Sequence, residues 1–543
     1  MLPSRYWPFA TCVALALVSL GGLYWSQAWI WPAVVFRGLS AVGIADLIQT
    51  RKSVLRNYPV IAHLRYFLES IGPEIRQYFI EADNDERPFS RQQRSLVYQR
   101  AKNTLDKRPF GTQLDLYADK YEWINHSLAP TDVPSHDFRI AIGQGRAQPY
   151  SASVFNISAM SFGSLSANAV RALNEGARRG NFFQDTGEGS ISQYHRENGG
   201  DLVWEIGSGY FGCRDADGRF NEEKFVANAC TAQVKMIEIK LSQGAKPGHG
   251  GVLPGVKVSP EISAARGVPI GVDCISPARH SAFSTPVELL QFVDRLRRLS
   301  GGKPTGFKLA IGHPWEWFGI AKAMQETGVL PDFIVVDGGE GGTGAAPLEF
   351  TDHVGAPLRE ALLLVHNTLV GLNLRQHIRI GAAGKVITAF DIARTLALGA
   401  DWCNAARGYM FALGCIQSLS CHTDRCPTGV TTQNQTRQKA LVPEDKATRV
   451  HQFHENTLIA LRELIAAAGL NHPDELGPEH IIRRVSSTEV RSLSVLHRFM
   501  KPGELLGGPL PDHPAFKMFW ADSRSDSFAA PAQVQAMRAS KST

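Results

Sequence analysis

The sequence predicts an α/β protein, a TIM-type (β/α)8 barrel with an N-terminal transmembrane hairpin and helical additions. Two observations point to the barrel. From about residue 151, short β-branched or apolar runs end in Gly-rich turns, and Ala- and Leu-rich helical patterns follow them, the alternation that marks βα units. So many units on one chain, with no sign that strand order reverses, favour a closed barrel over an open sheet. The third observation concerns the start of the chain. Tyr6 to Phe36 is a run of 31 residues without a charged side chain, longer than the roughly 20 that one helical span needs.

The 543 residues are 44% hydrophobic and 20% charged, which excludes a disordered chain and leaves enough apolar side chains for a sizeable core. The net charge is +6. Within residues 1–60 the cations Arg5, Arg37, Arg51, Lys52 and Arg56 face one acid, Asp46. The remainder is nearly neutral and lacks the clustered basic patch of a nucleic-acid binder.

Residues 1–50 read as a hairpin of roughly 7–24 and 29–47, in which Arg37 can snorkel. Tyr6, Trp7, Trp25, Trp29 and Trp31 stand where aromatic belts would. The flanking cations put both ends, and the domain that follows, on the cytoplasmic side of an inner membrane. Two other readings stay open: a secretory signal peptide with Arg5 as its basic start and Ser26-Gln27-Ala28 as its cleavage site, and an apolar hairpin covered by a partner surface. Export fits poorly with a tight C-terminal cysteine cluster, since thiolate metal ligation suits a reducing compartment. Residues 51–150, with amphipathic stretches, charge and Pro-containing turns, read as a helical collar. The barrel occupies 151–430, with strand-like runs at 154–158, 236–240, 306–311, 332–337, 377–380 and 401–405. Residues 431–520 read as a helical extension whose main helix covers 451–469, and 521–543 as a loose tail.

Chemistry concentrates in the barrel. The strand ending in Gly381-Ala382-Ala383-Gly384-Lys385, a helix over 389–398 and the strand ending in Ala405-Ala406-Arg407-Gly408 have the layout of a phosphate site, where small residues let N–H groups approach and a helix N-terminus adds positive potential. The same glycines could simply close tight βα turns. The loop 338–344 contains GxGxxG at Gly339, Gly341 and Gly344. Pro347 follows where a dinucleotide-binding helix would begin, so a backbone-lined floor for a flat ring is the better reading.

Cys415, Cys421 and Cys426 form C-x5-C-x4-C followed by Pro427. Three thiolates so close suit an iron–sulfur cluster, because zinc would need a fourth ligand and His422 is awkwardly adjacent to Cys421. Three buried structural cysteines are the bland alternative. Lys240, Lys246, Arg266 and Lys308 lie at strand ends or just beyond, where cations could hold a dicarboxylate or stabilise a reduced flavin, although each alone is more often a surface charge. Glu188, in Asp185-Thr186-Gly187-Glu188-Gly189, is the candidate acid/base or ammonium-binding group, against the default of a solvated loop carboxylate.

Together these stretches resemble a known family. Ala159-Met160-Ser161-Phe162-Gly163-Ser164, Thr186-Gly187-Glu188-Gly189, Gln243-Gly244-Ala245-Lys246-Pro247-Gly248 with Leu253-Pro254-Gly255, Lys308, Gly341-Gly342-Thr343-Gly344-Ala345 and the cysteine cluster are similar, in this order, to the central synthase domain of FMN-binding glutamate synthases. The resemblance implies a barrel that binds FMN and a [3Fe–4S] cluster on Cys415, Cys421 and Cys426, and hydride delivery to 2-iminoglutarate, made from 2-oxoglutarate and ammonia, giving L-glutamate. It also implies that Met160, Ser161, Gln243, Lys308, Gly341, Gly342, Gly384 and Ala405, Ala406 and Arg407 touch FMN, while Glu188, Lys246 and Arg266 face substrate.

The chain departs from the family pattern at His249, where Glu is expected, at Val252, where Gln is, at Glu340, where Asp is usual, and at Ala383-Gly384-Lys385, where Asp-Gly-Gly is common. A glutaminase domain and an NAD(P)H-binding domain are expected to be absent, so ammonia would come from solution or a partner and electrons from ferredoxin or a separate reductase. Two rival readings follow: an FMN-barrel enzyme for another amino or oxo acid, such as an N-methylglutamate synthase relative using methylamine, and a non-catalytic membrane electron-transfer subunit.

Overall fold

The computed structural model describes residues 3–49, 52–81 and 87–540. Arg51, one of the flanking cations, lies outside them. The chain divides into two compact units, Met1–Arg91 and Gln92–Thr543, so the boundary falls inside the segment read as a single collar.

The first unit begins with two helices, α1 (Trp7–Gly22) and α2 (Ile30–Ile48), joined by a turn in which Ser26 Oγ accepts the Ala28 N–H at 3.2 Å. Phe9 lies over Gly43 and Trp29 over Gly22, so the helices pair antiparallel as a hairpin. Gln27–Ile48 is the one segment among the described residues long and apolar enough to cross a membrane, with mean hydropathy 1.4. The 16 residues of α1 rise about 24 Å at 1.5 Å each, short of a bilayer core of about 30 Å. After a short helical turn at Ser53–Asn57 comes a longer helix, α3 (Ala62–Ile75).

The second unit is a closed parallel barrel. Its strands are β1 (Phe155–Ile157), β2 (Gln184–Asp185), β3 (Leu202–Ile206), β4 (Val234–Lys240), β5 (Thr305–Leu309), β6 (Phe333–Asp337), β7 (Arg379–Ala383) and β8 (Trp402–Ala405). They pair in chain order, and β8 closes on β1 through Cys403↔Phe155, Asn404↔Asn156 and Ala405↔Ile157. Most strand residues are buried, because one face looks into the barrel and the other under the helices. The ring of helices comprises α4 (Ala167–Arg179), α5 (Glu222–Ala229), α6 (Pro260–Arg266), α7 (Pro286–Leu299), α8 (Pro314–Thr327), α9 (Leu358–Gly371), α10 (Ala389–Ala397) and α11 (Arg407–Leu413), with α12 (Pro443–Ala467) packed on α4, α10 and α11.

Local chemistry sets these helices. Ser166, Thr285 and Thr388 cap α4, α7 and α10 with their hydroxyls, and Pro286 and Pro314 open α7 and α8, where the missing N–H costs nothing. The antiparallel pair Arg139–Ile142 and Tyr150–Ser153 runs into β1 at the N-terminal end of the barrel, where Arg146 Nε meets Asp332 Oδ1 at 2.6 Å.

Three elements differ from the sequence expectation. Strand β7 starts at Arg379 and takes in Gly381, Ala382 and Ala383, beyond the strand-like run 377–380, because pairing with Val335, Val336 and Asp337 of β6 draws them into the barrel. Helix α12 begins eight residues before 451, with Pro443 at its first position. Residues 521–525, the start of the segment read from composition as a loose tail, are docked beside the buried Trp520: Lys322 Nζ donates to Ala521 O and Ser523 O at 3.1 and 2.8 Å, and Val287 N donates to Ser525 O.

Candidate active site

The βα loops meet at the C-terminal ends of the strands, the face on which barrel enzymes assemble their sites. At the end of β6, Asp337 Oδ2 accepts the Gly244 N–H at 2.8 Å, fastening the loop after β4 to the strand that leads into the glycine loop. Glu340 Oε2 accepts the Leu358 N–H at 2.9 Å and so caps α9, while its carbonyl accepts from Arg407 Nη2. Glutamate in place of aspartate thus reaches the start of a helix. A Cβ on Gly342 would stand 2.6 Å from Arg407 Nε, so only glycine lets the guanidinium lie on this loop. The result is a cradle lined by backbone, with Met160 and Ser161 after β1, Gly384 after β7, Ala405 at the end of β8 and Ala406 just beyond it around the same mouth. Burial lowers the Arg407 pKa to about 10, although Asp337 and Glu340 act the other way. A guanidinium strained by burial gains from an anion brought beside it. A flat ring with a phosphate tail fits this donor set.

On the other side of the mouth stands Glu188. Its Oε1 meets Lys240 Nζ at 3.2 Å and its Oε2 accepts from Ser276 Oγ at 3.3 Å. A Cβ at Gly251 would come within 1.9 Å of Oε1, so the insertion between β4 and α7 closes over the carboxylate through glycine. Burial would raise the Glu188 pKa, but Lys240, Arg266 and Lys246 outweigh it and hold the group below its ordinary value. Lys240 Nζ also donates to Gln243 Oε1 at 2.6 Å. Lys246 is buried and donates to Ala345 O at 2.9 Å. Burial, then the like charge of Lys240, lower its pKa, with Glu188 opposing. Between Glu188, Lys240, Gln243 and His249 lies a cavity of about 20 Å³, room for one water-sized molecule.

Arg266, at the end of α6, donates from Nη2 to Phe162 O at 3.0 Å and lies 5.2 Å from the Phe211 ring. Its field reaches Glu188, but its bond to Phe162 O ties the insertion to the loop after β1. Lys308 goes elsewhere: its Nζ pairs with Glu205 and, at 3.2 Å, with Glu238. Glu205 and Glu238 are register neighbours on β3 and β4, and with Asp185 of β2 they bring three carboxylates within 4.8 Å of one another inside the barrel. Burial first, then Glu205, raise the Asp185 pKa to about 7, and burial raises Glu238 well above the carboxylate range. For Lys308, burial acts downward, but Glu205, Glu238 and Asp185 overcome it and keep the ammonium charged. Lys308 thus neutralises part of a buried acidic group, while protons held by the acids neutralise more.

Sequence reasoning passed over this acidic group, although a Glu inside each of the apolar runs Leu202–Ile206 and Val234–Lys240 was a visible signal. It also missed His280, whose Nε2 donates to Lys240 O at 2.8 Å and whose Nδ1 faces Tyr210 Oη at 3.0 Å. Burial lowers it to about 4, so it is a neutral strut behind Lys240. Lys257 was missed as well. Buried, it donates to Thr431 O at 2.8 Å and Ser164 O at 3.3 Å, and lies within the field of Cys421 and Cys426.

The three cysteines sit on the loop that follows α11. Gly344 reaches Cys421, its Cβ position 4.0 Å from the cysteine Cβ, so the glycine loop touches the thiol loop. Gln417 N donates to Cys415 Sγ at 3.4 Å, and Thr428 Oγ1 lies 3.5 Å from Cys426 Sγ. Burial raises Cys415 to about 12; for Cys426 burial acts upward too, but hydrogen bonds from Thr428 and Thr431 bring it down to about 7. Among the described residues no three cysteine sulfurs converge within 4.8 Å. Hydrogen bonds to the sulfurs and a nearby ammonium are surroundings that iron–sulfur clusters use.

A family model described as a conserved region in glutamate synthase matches residues 117–471. The chain is 38% identical over 516 residues to the glutamate synthase large subunit-like protein YerD of Bacillus subtilis, covering 86% of this chain and 96% of that one. It is 36% identical over 342 residues to the archaeal glutamate synthase [NADPH] of Methanocaldococcus jannaschii and 35% over 333 residues to the archaeal-type glutamate synthase [NADPH] of Thermotoga maritima. These cover 63% and 61% of this chain, which spans 64% and 62% of their lengths. The chain belongs to the glutamate synthase family and is an oxidoreductase of glutamate synthase type.

Proposed function

We propose that this protein is a membrane-anchored flavin and iron–sulfur enzyme that reduces 2-iminoglutarate, formed from 2-oxoglutarate and ammonia, to L-glutamate. The observation that carries this reading is the meeting of Glu188, Lys240 and Lys246 with a backbone-lined cradle at one barrel mouth. FMN would be held by Met160, Ser161, Gln243, Gly341, Gly342, Gly384 and Ala405, Ala406 and Arg407, and the cluster by Cys415, Cys421 and Cys426. Bound there, FMN supplies two-electron hydride chemistry and a [3Fe–4S] cluster supplies one-electron relay.

The chain's own residues do the rest. Lys246 and Arg266 offer positive charge to a dicarboxylate. Glu188, kept ionised by Lys240, holds an ammonium ion at its carboxylate and accepts a proton as the amine adds to the keto carbon. The cavity beside it admits a single small molecule and so favours ammonia over an alkylamine. Lys308, fixed by Glu205 and Glu238, stays inside the barrel as the counter-charge of the buried acids. Electrons come from ferredoxin or a separate reductase. α2 spans the inner membrane, and the catalytic unit faces the cytoplasm.

A second reading, an alkylamine-using relative, rests on His249, whose ring packs edge-on against Phe350 with centroids 5.3 Å apart and lines the small cavity. Anaerobic purification of the full chain with FMN and iron quantified, followed by reoxidation of the reduced protein by 2-oxoglutarate with ammonia or methylamine, tests both. Ammonia-dependent glutamate formation is the expected result; a chain without flavin overturns the proposal.

A further inference from the structure

We propose that α3 is an interfacial anchor that lies in the headgroup layer of an anionic bilayer; the proposal rests on the reading of α2 as a membrane span. Leu64, Phe67, Leu68, Ile71 and Ile75 recur at i, i+3, i+4, i+7 and i+11, the spacing of one apolar stripe. In a water-soluble unit that stripe would be the covered face. Here Leu64 and Phe67 are 57% exposed and Leu68 is 49% exposed. The helix docks through another side: Ala62 is buried, His63 Nε2 meets Asp46 Oδ1 at 2.9 Å, and Lys52 Nζ stands 4.5 Å from the centre of the Tyr66 ring. Leu64, Phe67 and Leu68 are thus turned outward, while Ile71 and Ile75 of the same stripe are half-buried.

Three features identify a lipid surface as the cover. The first is depth. Asp46 lies in the last turn of α2, and its Oδ2 also accepts the Val60 N–H at 2.9 Å. The first turn of α3 is thereby pinned at the level where α2 ends, which is where a spanning helix passes from hydrocarbon to headgroups. The second is continuity. Leu17, Val18, Trp31 and Val34 of the hairpin are exposed as well, so one medium that covers them extends to the stripe. The third is charge. Between residues 52 and 80, Lys52, Arg56, Arg65 and Arg76 face Glu69 and Glu74, an excess that attracts anionic headgroups. Tyr78 and Phe79, exposed beyond the helix end, are residue types that favour the interface.

The test uses the full chain in vesicles of phosphatidylethanolamine and phosphatidylglycerol containing a diazirine-tagged phosphatidylglycerol, with adducts mapped by mass spectrometry. Adducts are expected on residues 61–75 as well as on α2. A Leu64→Glu/Leu68→Glu variant, shown to be folded by circular dichroism, is expected to lose the former and keep the latter. Adducts on α2 with none on 61–75 overturn the anchor, and protein–protein cross-links from the stripe would then identify a second copy or a partner chain as the cover. No lipid adduct on either segment overturns the spanning reading itself. Equal labelling of 61–75 in the variant and the parent also overturns the anchor.

Discussion

Asp185 shows how far a single position can depend on its surroundings. In sequence it is one more acid in a Gly-rich stretch; in the barrel it shares a buried space with Glu205, Glu238 and one ammonium. Its pKa is raised by burial and by Glu205 from 3.8 to about 7. A carboxyl with a higher pKa in the folded chain binds its proton more tightly there, so its contribution to stability is full below about 4 and is lost as pH rises through about 7. Asp185→Asn keeps an acceptor for the Gly187 N–H and removes the titration. Thermal unfolding between pH 4 and 8 should decline less in the variant than in the parent, and parallel profiles would refute this account. Removal of the counter-charge acts in the opposite direction. Lys308→Met leaves the acids uncompensated and should cost about 3–5 kcal/mol, as when one partner of a buried pair is removed, measured by denaturant unfolding. Glu188 and Lys246 were legible as candidates from their places after strands, but their mutual field was not, because it depends on how two loops fold over each other.

At the scale of elements, the glycine loop after β6 and the insertion after β4 do the positioning. The GxGxxG string was legible, and the helix that follows it, Leu348–His353, has only 6 residues and starts after Pro347. What the string did not show is that Gly342 yields space to Arg407 and that Gly251 yields space to Glu188. Gly251→Ala should displace the carboxylate by about an ångström and lower kcat/KM about 100-fold, with flavin content unchanged; steady-state kinetics beside an absorbance spectrum checks both halves. In the thiol loop, Cys421→Ser should abolish the iron content while flavin remains, measured by iron assay on anaerobic protein. Strand β2 escaped sequence reading because it has two residues, Gln184 and Asp185, too few to show a period.

For the whole molecule, the division between Arg91 and Gln92 separates an apolar unit from the barrel unit that carries every candidate catalytic residue. A chain starting at Gln92 should leave the membrane fraction and keep its flavin, as read by fractionation and visible absorbance; loss of flavin would show that the first unit supports the site. The charge of +6 looks like a property of the whole chain until its distribution is considered. Much of it surrounds the hairpin, while the barrel uses buried cations that bulk charge does not reveal.

The sequence by itself determined the barrel, the apolar hairpin, the three-cysteine loop and most residues at the mouth, because periodicity, glycine placement and cysteine spacing are local quantities. Only the tertiary structure decided which charges meet. Lys308 turned to Glu205 and Glu238, Arg266 to the Phe162 carbonyl, Lys257 to the Thr431 and Ser164 carbonyls, and α3 kept Leu64, Phe67 and Leu68 outward. Each of these outcomes is set by residues tens to hundreds of positions away, and the electrostatics of burial depend on that long-range company rather than on neighbours along the chain.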